Sequence, residues 1–292
     1  MNLNYSTAGE LLTLCAERRQ SIAEITLARE NNATLEPTER IFARMRDYYG
    51  LMRDSIRKGL EIESPSSSGL SGGDARKLKN YAASASPLLG AQFVKTMAYG
   101  VAVLENNASF GRIVATPTAG SSGVTPACLF SLEETHHLTI DQLTMALFTA
   151  AGIGHIIGAT ACFSGAQGGC QAEVGSASCM AAAAIVEATG GTPAQAVEAA
   201  AFALMNTLGL VCDPVGGYVE VPCVNRNGMY AVHSFLAASM GLAGMNSRIP
   251  LDDVVLAMRD IGRRMPRALK ETGEGGLAST SSGRQYRPKP IV

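Results

Sequence analysis

Cys170, Cys212 and Cys223 each sit in a glycine- or proline-marked break between apolar helical stretches. Their contexts are Gly168-Gly169-Cys170-Gln171, Val211-Cys212-Asp213-Pro214 and Val221-Pro222-Cys223-Val224. Thiols at helix ends can converge on one point, and the N-terminal dipole favours the thiolate there, which suits ligation of a metal or an iron–sulfur cluster. Three ligands leave one coordination position for a substrate, the arrangement a Lewis-acid catalyst needs. The spacing fits neither a CxxC zinc pair nor a ferredoxin run. Residue type alone therefore leaves two readings open, a three-thiolate site or three small core residues. Cys15, Cys128, Cys162 and Cys179 read as core. Cys15 lies on an amphipathic helix, Cys128 follows Pro126-Ala127 in an apolar run, and Cys179 falls inside the Ala-rich segment 176–188.

Two glycine loops offer polar groups nearby in sequence. In Thr116-Pro117-Thr118-Ala119-Gly120-Ser121-Ser122-Gly123, backbone N–H groups and hydroxyls precede a helix, which suits an anion such as a carboxylate and equally suits a plain turn. Ser164-Gly165-Ala166-Gln167-Gly168-Gly169-Cys170 is the second such loop and leads into the Ala-rich helix. Ser121, Ser122 and Ser164 are candidates to hold a carboxylate or amine, with Thr118 beside them. Arg226 follows Cys223 closely and can pair with a carboxylate or with a local partner. Glu173, one turn after Cys170, reads as a group behind the ligands rather than a base. His136 and His137 fall in a polar turn, His155 reads as a satisfied core histidine, and His233 lies within reach of the cysteine segment.

Helices must position these groups. Thr7 with Glu10, and Ser21 with Glu24, have capping-box spacing, and Pro37 opens a long helix through Ile41, Met45, Leu51 and Ile56. After a Ser/Gly-rich connection at 64–73, a helix starts at Asp74 and another after Pro87 runs to about Glu105. Further helices are predicted over 124–135, 139–157, the Ala-rich run after Ser176, and from Thr192-Pro193-Ala194-Gln195 to Leu208. Two more run over 225–242 and from Pro250 to Arg264. Ser66-Ser67-Ser68 reads as loop, Tyr218 to Val221 as an extended piece, and the tail after Pro266 as lying over the surface. The fold class is mainly α, with a small helical N-terminal part (1–73) packed on a larger helical catalytic part (74–292).

Composition sets the class. The chain has 292 residues, 47% hydrophobic, with 24 basic and 25 acidic residues and a net charge of −1, so no footprint for nucleic acid or an acidic membrane surface is visible. Five per cent aromatics and no Trp suit helix packing on small side chains. Seven cysteines, an odd number, with no N-terminal signal pattern point to a reducing cytoplasm. The apolar stretch 144–161 is interrupted by Gly152, His155 and Gly158 and does not read as a membrane span.

Several segments together carry a family resemblance. They are Ala115-Thr116-Pro117-Thr118-Ala119-Gly120-Ser121, Ser164-Gly165-Ala166, Gly168 to Ala177, Leu210 to Val215, Val219 to Cys223, Gly69 to Asp74 and Lys270-Glu271-Thr272-Gly273. In this order they resemble the α chain of the iron–sulfur-dependent bacterial L-serine dehydratases over nearly the whole length. The resemblance implies that Cys170, Cys212 and Cys223 ligate a 4Fe-4S cluster with one iron free to act as Lewis acid on the substrate hydroxyl. It further implies an all-helical lyase that converts a β-hydroxy amino acid, L-serine first, to pyruvate and ammonia without pyridoxal phosphate.

The resemblance also implies a separate β chain bearing a Ser-Ser-Ser-His-Thr motif. That motif is absent here, so a hetero-oligomer is expected. No cysteine follows Cys223 to cap the cluster from the tail. Two places depart from the family. Its usual Asn-Ala-Ser-Ile-Ser-Gly-Ala reads Thr160-Ala161-Cys162-Phe163-Ser164-Gly165-Ala166, and its usual Arg-Asn-Ala-Met-Gly reads Arg226-Asn227-Gly228-Met229-Tyr230. With Phe163 and Tyr230 both bulkier, the expectation is a reshaped pocket, with threonine, cysteine or a larger β-substituted amino acid as alternative substrates. A non-catalytic iron–sulfur sensor or scaffold subunit is the remaining alternative.

Overall fold

The computed structural model describes residues 3–286. Among these it holds twelve α-helices and no strand, the one β-like contact being an isolated bridge between Cys212 and Lys270. The mainly α expectation holds. The helices are α1 (Ala8–Arg18), α2 (Ile22–Thr34), α3 (Thr38–Leu60), α4 (Asp74–Ala82), α5 (Gly90–Ala108) and α6 (Val124–Thr135). The second half adds α7 (Ile140–Thr160), α8 (Gly165–Gly168), α9 (Ser176–Ala188), α10 (Pro193–Met205), α11 (Cys223–Leu242) and α12 (Leu251–Arg264). Thr7, Ser21, Thr139 and Thr192 each close a full capping box, the local chemistry that fixes where α1, α2, α7 and α10 begin.

The Ala-rich helix α9 is the hub. Every residue from Ser176 to Val186 is buried, and α6, α7, α10 and α11 pack around it. Its run of alanines explains this: methyl side chains let four neighbours approach one axis, which larger side chains would hold apart. Around it, buried side chains from Leu11, Ile22 and Ile56 near the N-terminus to Met258 near the C-terminus share one core. Helix α7 is long and apolar enough to cross a membrane, yet most of it is buried between α2, α3 and α9.

Helices α5 and α11 cross at glycines. A methyl on Gly100 would meet the Asn227 carbonyl oxygen at 2.7 Å, and one on Gly228 would meet the Met97 carbonyl oxygen at 2.8 Å. Gly228 is therefore the residue that lets α11 lie against α5.

Some local expectations give way to tertiary contacts. Tyr218 is extended as expected, at φ −85° and ψ 141°, and residues 218–221 lie between a short 3-10 turn at 215–217 and α11, which begins at Cys223. The second glycine loop is not open loop throughout, because 165–168 make one α turn and 171–175 one π turn. The tail does more than cover the surface. Cys212 N–H donates to the Leu269 carbonyl at 2.9 Å, Glu271 N–H donates to the Cys212 carbonyl at 2.7 Å, and Leu277 N–H donates to Asp213 Oδ2 at 2.8 Å.

Candidate metal centre

Four pieces of chain meet at the N-terminal ends of α9 and α11. Cys170 immediately precedes the π turn that runs into α9, and Cys223 is the first residue of α11. Cys212 lies between them in the 210–214 segment, tied to the tail. The three thiols are 1%, 2% and 5% exposed, and none forms a disulfide. Helix N-termini at two of them direct partial positive charge toward the sulfurs. A π turn, rare in helices and concentrated at functional sites, sets the direction of Cys170.

Gln171 holds this geometry together from within. Its amide Nε2 donates to the carbonyls of Gly168 at 2.9 Å and Met258 at 3.0 Å, while its Oε1 accepts from Gly209 N–H at 2.8 Å. Asn227 does the same for the first loop. Its Oδ1 accepts from Gly123 N–H at 2.8 Å, and its Nδ2 donates to the carbonyls of Gly120 at 2.8 Å and Cys223 at 2.9 Å.

Burial dominates the electrostatics. It pushes the Cys170 thiol up to about 11 despite the pull of the Arg226 guanidinium beside it. Burial, with Cys170 and Glu173 nearby, pushes Cys223 up to about 12. Cys212 is raised further, again by burial first and then by Cys170 and Glu173. Three buried sulfurs that oppose one another's ionisation are stable together as thiolates only around a positive centre.

Glu173 joins the two loops. Its Oε1 accepts from the Thr118 hydroxyl at 2.7 Å, and its carboxylate fills the space against Gly120 and Gly165. Burial raises its pKa, partly offset by the Thr118 bond. Glu271, delivered by the tail with a positive φ of 63°, brings a carboxylate oxygen to the same point, so that oxygens of Glu173 and Glu271 and the Cys212 sulfur lie within 4.8 Å of one another.

The remaining candidates divide. Arg226 is half-buried, donates to the Val211 carbonyl at 2.8 Å and pairs with Asp213 at 3.3 Å, so it has local partners and still stands beside Cys170. Ser164 occupies the N-cap position of α8 without a capping bond, next to Gly165 at the Glu173–Cys212 contact. The Ser121 and Ser122 hydroxyls are engaged inside their own loop, Ser121 with Thr118 at 3.0 Å and Ser122 with the Ala119 carbonyl at 2.7 Å.

The two departures differ: Phe163 turns to α7, whereas the Tyr230 hydroxyl feels both the Arg226 guanidinium and the Cys170 thiol. The Phe163 ring folds back on Gly158 of α7, and Tyr230 stacks edge-on against His233. His233 bonds the Ala203 carbonyl at 3.0 Å and His155 the Tyr5 carbonyl at 2.9 Å. Among the other cysteines, Cys15, Cys128 and Cys179 are buried as expected, whereas Cys162 is half-buried.

Missed by sequence reasoning are the contacts of Glu173 and Glu271 with Cys212 and the bonds of Asp213. Glu173 had a signal in its one-turn offset from Cys170. Glu271 had none, because the tail reaches Cys212 only through the fold.

Residues 17–278 match the family model described as serine dehydratase alpha chain. The chain is 50% identical to the probable L-serine dehydratase, alpha chain, of Bacillus subtilis, covering 98% of this chain and 95% of that one. It is 41% identical to the L-serine dehydratase, alpha chain, of Peptoniphilus asaccharolyticus, covering 97% of each. Against L-serine dehydratase TdcG of Escherichia coli it is 34% identical over 94% of this chain and 62% of that longer one. With matches of this extent, the chain belongs to the serine dehydratase alpha chain family.

Proposed function

We propose that this chain is the α subunit of an iron–sulfur-dependent L-serine dehydratase, a lyase that releases pyruvate and ammonia. The observation that carries the reading is that Cys170, Cys212 and Cys223 are buried, free of disulfides and near enough to oppose one another's ionisation, two of them at helix N-termini. A set of three soft thiolates suits a 4Fe-4S cluster with one open iron better than a closed four-ligand zinc site. When bound, the cluster supplies a Lewis acid that turns the poor hydroxide leaving group into a good one.

The chain's own residues do the rest. Arg226 offsets negative charge at Cys170, and Asp213 fixes the guanidinium. Gln171 and Asn227 hold the two glycine loops at fixed separation, which keeps the substrate's carboxylate and amine oriented. Ser164, whose hydroxyl caps nothing, is the loop hydroxyl available to the substrate, in preference to Ser121 and Ser122. The acid–base step falls to the Glu173–Glu271 carboxylate pair. Removal of the Cα proton and departure of the hydroxyl as water give aminoacrylate, whose imine tautomer takes up water to yield pyruvate and ammonia.

The relatives named as α chains support a separate β chain as partner, and so a hetero-oligomer. Seven cysteines with no disulfide suit a reducing cytoplasm. The test is to purify the protein without oxygen, assay iron and sulfide, and record the cluster spectrum before and after L-serine. About four irons per chain with a serine-dependent shift is expected. Absence of a cluster even after anaerobic reconstitution overturns the reading.

A further inference from the structure

The serine-rich connection 64–73 has a role beyond joining α3 to α4. Glu220, three residues before Cys223, is only 6% exposed, and its carboxylate accepts hydrogen bonds from three hydroxyls of that connection. Ser66 donates to Oε2 at 2.5 Å, Ser68 donates to Oε1 at 2.6 Å, and Ser71 donates to Oε2 as well.

The connection is itself held rigidly. Ser66 N–H donates to the Ser71 carbonyl at 2.8 Å and Leu70 N–H to the Ser68 hydroxyl at 3.0 Å. The fully buried Glu105 of α5 accepts from the N–H groups of Gly72, Asp74 and Ala75. On the other side, the Glu220 carbonyl accepts from Val224 N–H at 2.7 Å, the first-turn bond of α11 that spans Cys223. Side chain and backbone of one residue thus fasten the start of α11 to a loop some 150 positions away in sequence.

We propose that Glu220 is a positioning residue for Cys223, and that the seryl triad Ser66–Ser68–Ser71 makes retention of the third cysteine's ligand depend on the 64–73 connection. The inference rests on reading Cys223 as a cluster ligand. The physical reason is placement: a thiolate in the first turn of a helix goes where that turn goes, and the Glu220 side chain ties this turn to the connection. Hydroxyls both donate and accept, so an amide at position 220 can re-pair with them whereas an aliphatic side chain cannot.

The experiment compares Glu220→Gln and Glu220→Leu in the full chain, with Glu187→Gln as control. Glu187 is a half-buried carboxylate that receives the Ile22 and Ala23 N–H groups at the start of α2, and it lies at the C-terminal end of α9, the end opposite Cys170. Two readouts are taken: iron and sulfide per chain after anaerobic purification, and alkylation rates of Cys223 and Cys179 in metal-free protein, resolved by peptide mass spectrometry. Expected for Glu220→Leu is a loss of iron and alkylation of Cys223 faster by about tenfold, with Cys179 unchanged because only the start of α11 opens. Glu220→Gln should stay near wild type in both.

Wild-type iron and Cys223 rate in Glu220→Leu would overturn the proposal, as would equal acceleration of Cys179 and Cys223, which marks general loss of structure. If Glu220→Leu does not fold, the Ser66→Ala/Ser68→Ala double variant must show the same selective exposure of Cys223 for the proposal to stand. Should wild type itself hold no cluster, the functional reading fails, and the alkylation rates still decide whether Glu220 positions Cys223.

Discussion

Glu173 Oε2 lies 3.9 Å from the Cys212 sulfur, and Gly165 packs against both. A methyl on Gly165 would stand 2.6 Å from the Glu173 carboxylate and 3.1 Å from the sulfur, inside the space the site needs. Gly165→Ala should therefore leave helix content unchanged and reduce iron and sulfide per chain severely. Gly120→Ala, whose methyl meets Glu173 at 3.1 Å, should be milder. Metal analysis beside far-UV circular dichroism checks both.

Glu173→Gln keeps the side-chain volume and can still accept from Thr118, while removing the charge beside Cys212. Iron content should stay, and serine turnover should fall by about 10²-fold or more if this carboxylate shares the acid–base step. Unchanged kcat with intact cluster would assign that step away from Glu173.

Half-buried Arg226 and buried Asp213 form an ion pair, 14% and 5% exposed at the side chain. Arg226→Gln leaves Asp213 with only the Leu277 N–H as donor, a loss of about 3 kcal/mol. Urea denaturation of metal-free protein should show this, together with looser binding of the tail, read as faster proteolysis after residue 266.

Burial holds the Cys15 and Cys128 thiols up at about 12, against roughly 8.5 in an unfolded chain. Folded protein thus keeps protons that unfolded protein sheds. Stability from this source is fully present below about pH 8.5 and declines as pH rises toward 12, by up to ~1.4 kcal/mol per pH unit for each thiol. Metal-free protein adds Cys170 and Cys223 to that loss, because both are raised in the same way. Urea midpoints at pH 8, 9 and 10 should fall more steeply for metal-free than for cluster-loaded protein.

Phe163 turns toward Gly158 of α7, away from the thiols. Phe163→Ile should cost about 1 kcal/mol and leave the preference for serine over threonine and cysteine unchanged. A tenfold change in that preference, measured as a ratio of kcat/KM values, would place the ring at the substrate.

The sequence carries much of this site in readable form. Cys170 and Cys223 stand out because glycine or proline precedes each where a helix must begin, and Gln195 and Glu24 mark helix starts by their three-residue offset from a hydroxyl. Ser121 and Ser122 were legible as loop hydroxyls, but whether they face a ligand or their own loop depends on the turn's closure. In the fold their hydroxyls bond to Thr118 and to the Ala119 carbonyl. Ser66-Ser67-Ser68 looks like any polar connection until Glu220 is brought against it.

By itself the sequence determined the helices, their caps, the Ala-rich hub and the breaks that hold the three cysteines, since each depends on neighbours within a turn or two. Tertiary structure alone decided that Cys170, Cys212 and Cys223 influence one another's ionisation, that the tail delivers Glu271 to Cys212, and that the 64–73 connection grips Glu220. Those contacts join residues tens to hundreds of positions apart, and their geometry follows from how closely α9 and α11 are packed by their neighbours, which no local pattern encodes.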